Sequence, residues 1–279
     1  MPTTACTPLA AHQRRLARVG VFGAVGRMGR TVCEAVHGDA ELELVAAVDP
    51  LHAGLDLRPV TGVDVDLPVL PAPEAIGTGS IDVAVDFTAA DPARANLRWC
   101  AANGVHAVVG TTGLSSDDLD ELGAVFTASN CLVAPNFAIG AVLMMHLAEL
   151  AAPWFSSVEV IELHHDAKVD APSGTSLLLA ERLAAATGEL RDDPTTIRVL
   201  EGARGGAGAG GIPIHSVRVQ GLVAHHEVLL GTTGQTLRIR HDSYDRSSFM
   251  PGVLLAVKAI AGRPGLTVGL DELLDLRRR

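Results

Sequence analysis

Aromatic side chains are scarce in this 279-residue chain: six Phe, two Trp and one Tyr make up 3% of it, which leaves little for stacking on nucleobases or sugar rings. Positive charge is in deficit as well. Against 32 Asp and Glu stand 22 Lys and Arg, for a net charge of −10, so a nucleic-acid or anionic-membrane partner is disfavoured and an anionic ligand needs a local basic pocket. The four cysteines, Cys6, Cys33, Cys100 and Cys131, show no C-x-x-C spacing. A zinc knuckle and a disulfide scaffold are both disfavoured, and a reducing cytoplasm fits. No apolar run approaches the ~18–20 residues of a membrane span. Residues 1–16 place no basic segment before an apolar one, as a secretory signal does, and read as a flexible extension. No internal repeat is present.

What the chain does have is apolar content: 48% of residues are hydrophobic and 19% charged, enough for a sizeable core and against disorder over most of the length. Its length suits two ordinary domains. RVGVFG (18–23) reads as a strand ending in glycine and RMGRTVCEAVH (27–37) as a helix. ELELVAAVD (41–49), IDVAVDFT (81–88), VHAVVGTTG (105–113) and CLVAPNF (131–137) read as further strands, with a helix over 91–104 among them. Strands alternating with helices imply βαβ units and hence a parallel, doubly wound sheet of Rossmann type. After about Ala138 the pattern changes to an apolar helix (139–152), the strand SVEVIEL (157–163) and a helix from about Thr175 to Ala186. An alternating stretch over 217–241 then turns at Gly221 and at GTTG (231–234) and reads as an antiparallel meander. The expectation is an α/β protein with a dinucleotide-binding domain over 17–138 and an α+β domain with a mixed sheet over 139–248. A last helix, about 250–262, takes Pro251 in its first turn, and the glycine-rich 201–213 reads as a mobile loop that packs no core.

GAVGRMG (23–29) sets glycines at 23, 26 and 29 between a strand and a helix. Gly26 lets the backbone approach a pyrophosphate, Gly29 lets helix and strand pack closely, and the helix N-terminus offers amide hydrogens to the phosphates. The match to G-x-G-x-x-G is a variant, since Ala24 stands where the first glycine belongs, and glycine turns also occur without any phosphate. Asp49 supports binding: it ends the second strand 20 residues after Gly29, where a carboxylate accepts hydrogen bonds from ribose hydroxyls. DFT (86–88), with Phe87, and GTTG (110–113), with Gly110, Thr111 and Thr112, end buried strands on the side where ligands of open α/β sheets sit. They are expected to line the nicotinamide half of a cofactor, although either also reads as a plain turn.

ELHHDAKVDAPSGTS (162–176) puts His164 and His165 at a strand's carboxyl end with side chains on opposite faces, so only one of them faces a given pocket. Lys168 can return to the His164 side through the loop. Ser173 can cap the next helix, whose first amides, at Gly174 and Thr175, make a carboxylate cradle beside a proton donor. A metal site needs three or four converging ligands. His225, His226 and His241 are the candidates to complete one, but adjacent histidines on a strand do not converge as i, i+4 histidines on a helix do, and no metal is expected. Solvated histidines with an ordinary helix cap are the plainer alternative.

With the glycine turn, GTTG, APNFAIG (134–140) and ELHHDAKVDAPSGTS in this order, the chain resembles the dihydrodipicolinate (4-hydroxy-tetrahydrodipicolinate) reductase family from Arg18 to its C-terminus. The H-H-x-x-K-x-D-A-P-S-G-T element is far more specific than any glycine turn. The resemblance implies reduction of a cyclic dicarboxylate to tetrahydrodipicolinate by NADH or NADPH in the diaminopimelate and lysine pathway, by a cytoplasmic homotetramer assembled through its C-terminal sheets. It implies that His164 is the general acid, that Lys168 binds substrate or gives the proton, and that His165, Ser173, Gly174 and Thr175 bind substrate. Gly23, Ala24, Gly26, Arg27, Met28 and Asp49 would hold the cofactor, with Phe87, Gly110, Thr111, Thr112, Ala134, Asn136 and Phe137 on its nicotinamide side. It also implies that the last helix, within 249–279, returns to complete the first domain. Asp49 is followed by Pro50 and Leu51, with no arginine to pair a 2′-phosphate, so use of both cofactors with a lean towards NADH is expected. Two other functions fit less of the chain. A dehydrogenase of another amino-acid-derived acid would not need the 173–175 cradle, and a non-catalytic NAD(H)-binding redox sensor would leave His164, His165 and Lys168 idle.

Overall fold

Short runs of Val, Ala and Ile without internal charge suit strands buried on both faces, because β-branched side chains pack well on a pleated surface. The computed structural model describes residues 15–276, so nearly all of the extension expected over 1–16 lies outside the described residues. In chain order come β1 (Ala17–Phe22), α1 (Arg27–His37), β2 (Leu42–Val48), α2 (Leu57–Thr61), β3 (Val69–Leu70), β4 (Val83–Asp86), α3 (Ala90–Ala102), β5 (His106–Val109), α4 (Ser116–Val125) and β6 (Cys131–Val133). Then follow α5 (Ile139–Ala151), β7 (Ser157–His164), α6 (Gly174–Ala186), β8 (Gly206–Ala207), β9 (Pro213–Arg218), β10 (Ala224–Thr232), β11 (Gln235–Ser243), α7 (Met250–Ala259) and β12 (Leu266–Val268).

The first sheet has seven strands in the order β12-β6-β5-β4-β1-β2-β3, and all its pairs are parallel. Strand order reverses at β1, which lies between β2 and β4. The crevice outside the carboxyl ends there, where Gly23 and Phe87 emerge, is where such sheets bind ligands. The expected strands are shorter than read: CLVAPNF leaves the sheet after Val133 and VHAVVGTTG after Val109. A helix not read from the sequence, α4, opens with a capping box in which Ser115 and Asp118 satisfy each other's backbone amides.

The second sheet has the order β11-β10-β7-β9-β8. It is mixed: β7 pairs antiparallel with β10 and parallel with β9. The stretch 217–241 is therefore not one meander. Only β10 and β11 form a hairpin, and β9 lies on the far side of β7, reached through α6, because parallel neighbours need a crossover and periodicity does not say which strands adjoin. The glycine-rich segment is likewise not a coreless loop. Ile212 is fully buried, and Gly208 and Gly210 let the chain lie against α6, where a Cβ on Gly210 would stand 2.8 Å from that of Ala184.

Along β7 the side chains of Val158, Val160, Glu162 and His164 are buried while those between them are less so. The buried row faces α5 and α6. One hydrophobic cluster runs from α1 and α7, through α5, into this face of the second sheet. A second cluster fills the other face of the first sheet beneath α3 and α4.

Candidate active site

The glycine turn is held in shape by its own backbone and by Asp49. Gly23 has a positive φ of 74°, which costs glycine nothing. A Cβ on Gly29 would stand 1.9 Å from the Gly23 carbonyl oxygen, so α1 and the turn touch at that point. Gly26 is the N-cap of α1 without a side-chain hydrogen bond to its amides, which leaves them to an anion. Arg27 beside it is exposed and Met28 half-buried. Asp49 is buried. One oxygen accepts from Val25 N at 3.2 Å. The other accepts from Leu51 N at 3.2 Å and meets His52 Nδ1 at 2.9 Å. His52, three residues on, was not singled out from the sequence.

Asp86, fully buried at the end of β4, organises the neighbouring loops. Its carboxylate accepts from Thr88 N and Oγ1 at 2.9 and 2.7 Å, from Thr111 Oγ1 at 2.8 Å and from Asn96 Nδ2 at 2.8 Å. Gly110 lies under the Phe87 ring, where a Cβ would come within 2.0 Å of Cε1, and Phe87 packs against Phe137 at 5.8 Å between ring centroids. Ala134 N donates to Val109 O at 3.0 Å, and the Asn136 carboxamide oxygen accepts from Ala138 N at 2.8 Å just before α5. The structure thus brings Phe87, Gly110, Thr111, Ala134, Asn136 and Phe137 to one corner, with Thr112 exposed at its rim.

The second sheet carries its polar groups in two adjacent rungs of the helix-covered face. Ser216, Glu162, His226 and His241 form one rung, and Arg218, His164, Ala224 and Ser243 the next. His164 Nδ1 hydrogen-bonds the Glu162 carboxylate. Arg218 holds that carboxylate with both terminal nitrogens, at 3.0 and 2.8 Å. Burial pushes the Glu162 carboxyl up, but hydrogen bonds from His164, Arg218 and Ser216 outweigh it and bring it to about 2. The His226 ring stands edge-on to His164 at 5.3 Å with Nε2 3.2 Å from Ser173 Oγ. Burial, and then the charge of His164, bring His226 down to about 4. His241 is close enough to the start of α5 that a Cβ on Gly140 would be 2.5 Å from its ring, so this cluster sits beside the segment that carries Asn136 and Phe137.

The remaining substrate-side candidates follow β7. His165 follows the last residue of β7 and is half-buried. Lys168 Nζ is held by both Asp170 oxygens at 2.8 and 2.9 Å. Its ammonium meets that carboxylate in the loop. Ser173 is the N-cap of α6, its hydroxyl accepting from Ser176 N at 3.2 Å, and Gly174 opens the helix facing free space. His225 turns to Asp242 at 2.7 Å, away from His226, and among the described residues no three His, Cys, Asp or Glu side chains are grouped to hold a metal ion. Glu162 and Arg218 were not read as part of this site, and His226 only as a candidate metal ligand. The one signal for them was that Glu162 stands two residues before His164 and so shares its face of the strand.

The chain matches the family description dihydrodipicolinate reductase, N-terminus, over residues 17–137 and dihydrodipicolinate reductase, C-terminus, over residues 140–274. It is 51% identical over 265 residues to a 4-hydroxy-tetrahydrodipicolinate reductase of Nocardia farcinica, covering 93% of this chain and 99% of that one. To the protein of that name from Mycolicibacterium smegmatis it is 49% identical over 263 residues, with 93% and 99% covered. The solved structure of a dipicolinate-bound dihydrodipicolinate reductase from Paenisporosarcina sp. TG-14 is similar with a TM-score of 0.80 at 39% identity, covering 92% of this chain and 99% of that one. An amine dehydrogenase from Mycobacterium smegmatis, with a TM-score of 0.64 at 17% identity and 92% and 96% covered, shares the fold alone.

Proposed function

The chain belongs to the dihydrodipicolinate reductase family, and from that premise we propose which of its residues carry the reaction. It is an NAD(P)H-dependent oxidoreductase that reduces 4-hydroxy-tetrahydrodipicolinate to tetrahydrodipicolinate, a step towards diaminopimelate and lysine. The glycine turn fits a dinucleotide. A Cβ on Gly26 would find only Gly23 O within 4 Å, so the backbone there is open to close approach. Gly23, Ala24, Gly26, Arg27 and Met28 hold the pyrophosphate and Asp49 the adenosine ribose. A cavity of ≈ 210 Å³ beside them, lined in part by Gly23, Val48, Pro50, Pro73 and Thr88, takes the adenosine side. Phe87, Gly110, Thr111, Thr112, Ala134, Asn136 and Phe137 surround the nicotinamide, which supplies the hydride when bound.

On the substrate side, the first amides of α6 at Gly174 and Thr175, capped by Ser173, hold one carboxylate, and His165 and Lys168 the other. Addition of hydride to the conjugated ring leaves a carbon or nitrogen electron-rich, and His164 delivers the proton that completes the two-electron reduction. Its Nδ1 is engaged by Glu162, so Nε2 is the nitrogen free to exchange. The observation that carries this reading is that same contact: a buried carboxylate behind an imidazole at the mouth of a helix whose first turn is open. Three Asp49 hydrogen bonds leave about one of a carboxylate's roughly four acceptor sites for a ribose hydroxyl, which weakens its discrimination against a 2′-phosphate. Both NADH and NADPH therefore serve, with a lean to NADH of at most ~10-fold.

The chain assembles as a homotetramer through its second sheet and works in the cytoplasm. In support, α5 and α6 pack on that sheet, Ile197, Val199 and Leu200 are exposed, and the described cysteines are free thiols. Light scattering of the purified chain tests the assembly. The functional test is a coupled assay in which the substrate is generated enzymatically and NADH and NADPH oxidation are followed for the wild type and His164→Ala. Wild-type turnover with either cofactor, lost in the variant, is expected. Cofactor binding without turnover in the wild type would mark a redox sensor instead.

A further inference from the structure

A carboxylate buried in an otherwise apolar row is costly, and breaking such a pair leaves an uncompensated charge. The next two inward-facing residues of β7 are Val160 and Val158, so the sheet has no packing need for a charge at this rung. Glu162 is nevertheless fully buried and carries hydrogen bonds from His164, from both terminal nitrogens of Arg218 and from Ser216. The same guanidinium reaches further: Nη2 donates to the backbone oxygen of Asp170 at 2.6 Å, and the side chain of Asp170 holds Lys168. An unbroken series of contacts thus runs His164, Glu162, Arg218, Asp170, Lys168. It joins the proposed acid to the loop that carries the proposed substrate-binding lysine.

We propose that Glu162 and Arg218 are positioning residues for the reduction, Glu162 fixing the tautomer and orientation of the His164 ring, and Arg218 holding both Glu162 and the 165–173 loop in register with it. The proposal rests on the assignment of His164 as the acid. Against His164 stand Glu162 on its own strand, Arg218 opposite it on β9 and His226 edge-on from β10; behind them lie Ser216 on Glu162, Ser173 and His241 on His226, and the Lys168–Asp170 pair on Arg218. His226 is edge-on and bonded to Ser173, which leaves Glu162 as the anion in direct contact with the imidazole. Glu162 touches the imidazole while Arg218 touches only Glu162, so removing the anion and removing the cation should move a pH-dependent rate in opposite directions.

The test is the pH profile of kcat, with the substrate KM and the NADH Kd measured alongside, for Glu162→Gln, Arg218→Met, Arg218→Lys and His164→Gln. Activity that needs a protonated acid is lost as pH rises. Glu162→Gln should move that alkaline limb to lower pH by ~1 unit or more, the ordinary effect of losing a neighbouring opposite charge. Arg218→Met should move it to higher pH and raise KM several-fold as the loop loosens, and Arg218→Lys should restore the limb but not KM. NADH Kd should be unchanged throughout. A uniform fall in kcat with the limb unmoved, or a limb displaced the same way by Glu162→Gln and Arg218→Met, would overturn the positioning role. If Glu162→Gln does not fold, the two Arg218 variants decide alone. A limb that persists in His164→Gln would instead sink the acid assignment, a different failure.

Discussion

Two glycines of one turn should fail in two different ways when given a methyl group. At Gly29 an added Cβ meets three backbone atoms of the turn, Gly23 O at 1.9 Å, Gly23 C at 2.7 Å and Ala24 Cα at 2.8 Å. Backbone cannot rotate aside as a side chain can, so α1 must move off the turn by roughly an ångström. Overpacking of this kind costs ~1–3 kcal/mol, and alanine's better helix propensity returns up to ~1 kcal/mol. The net loss of about 1–2 kcal/mol corresponds to a Tm lowered by ~2–8 °C in a chain of this size. At Gly26 the nearest atom is Gly23 O at 3.2 Å, which has to give by only a few tenths of an ångström, and a poorer N-cap adds a cost below ~1 kcal/mol. The new methyl, however, occupies the space through which a pyrophosphate reaches the first amides of α1. Gly26→Ala should therefore keep its Tm within ~3 °C yet bind NADH ~10–100-fold more weakly, a loss of ~1.4–2.8 kcal/mol. Thermal unfolding followed by circular dichroism and NADH titration by fluorescence separate the two. Unchanged NADH affinity in Gly26→Ala would show that no phosphate lies against this turn, and an unchanged Tm in Gly29→Ala would refute the tight contact.

Replacing His164 with Ala should lower kcat ~10²–10⁴-fold with NADH affinity nearly intact, and Lys168→Ala should raise the substrate KM as well as slow turnover; steady-state kinetics beside NADH titration checks both. Arg27→Ala should weaken NADPH more than NADH and Asp49→Ala the reverse, read from the kcat/KM of each cofactor; equal losses in both variants would misplace the ribose site. His226, held at about 4 against an ordinary 6.5, binds fewer protons folded than unfolded between those values, so stability should fall as pH drops from about 6.5 to about 4. Glu162, held at about 2 against 4.5, adds a further loss below about 4.5. His226→Asn should flatten the upper window alone in urea melts taken across pH. Dialysis against a strong chelator should leave activity unchanged, measured with metal content by mass spectrometry.

Five strands of the first sheet were readable because their signals are local, whereas the two edge strands, Val69–Leu70 and Leu266–Val268, are too short to show a pattern. The helix over 27–37 is bounded by a glycine turn before it and Gly38 after it, and the strands read from the sequence are short, largely buried runs rich in Val, Ala and Leu. Ser173 as a cap follows from its neighbours in sequence. What escaped depends on register across strands. Arg218 is 56 positions from Glu162 and meets it only because β9 runs parallel to β7 with Arg218 opposite His164. Glu162, a charge in an alternating strand, reads as an outward-facing residue until the sheet shows it buried beside His164. Asp86 sat within the DFT loop, but its three partner residues are Thr88 in that loop, Asn96 on α3 and Thr111 in the 110–113 turn, which no periodicity brings together. The glycine-rich segment misled for a related reason: missing side chains permit either mobility or close approach, and only the position of α6 selects the second.

The outermost strand of the first sheet is the last to be made. Leu266–Val268 pair with Cys131–Val133, and Gly265 N donates to Asn130 Oδ1 across 135 positions. The entropy of closing so long a loop grows only slowly with its length, so the finished protein loses little by the arrangement. The growing chain is in a different position. At ~5–20 residues per second, the interval between the emergence of β6 and that of β12 is on the order of ten seconds, and throughout it the β6 backbone is an unpaired edge open to other strands. The second sheet, made wholly within that interval, can fold first and stand beside the gap. A ribosome that stalls before residue 266 leaves a chain with nearly all its site residues in place but an open sheet, a substrate for chaperones and proteases.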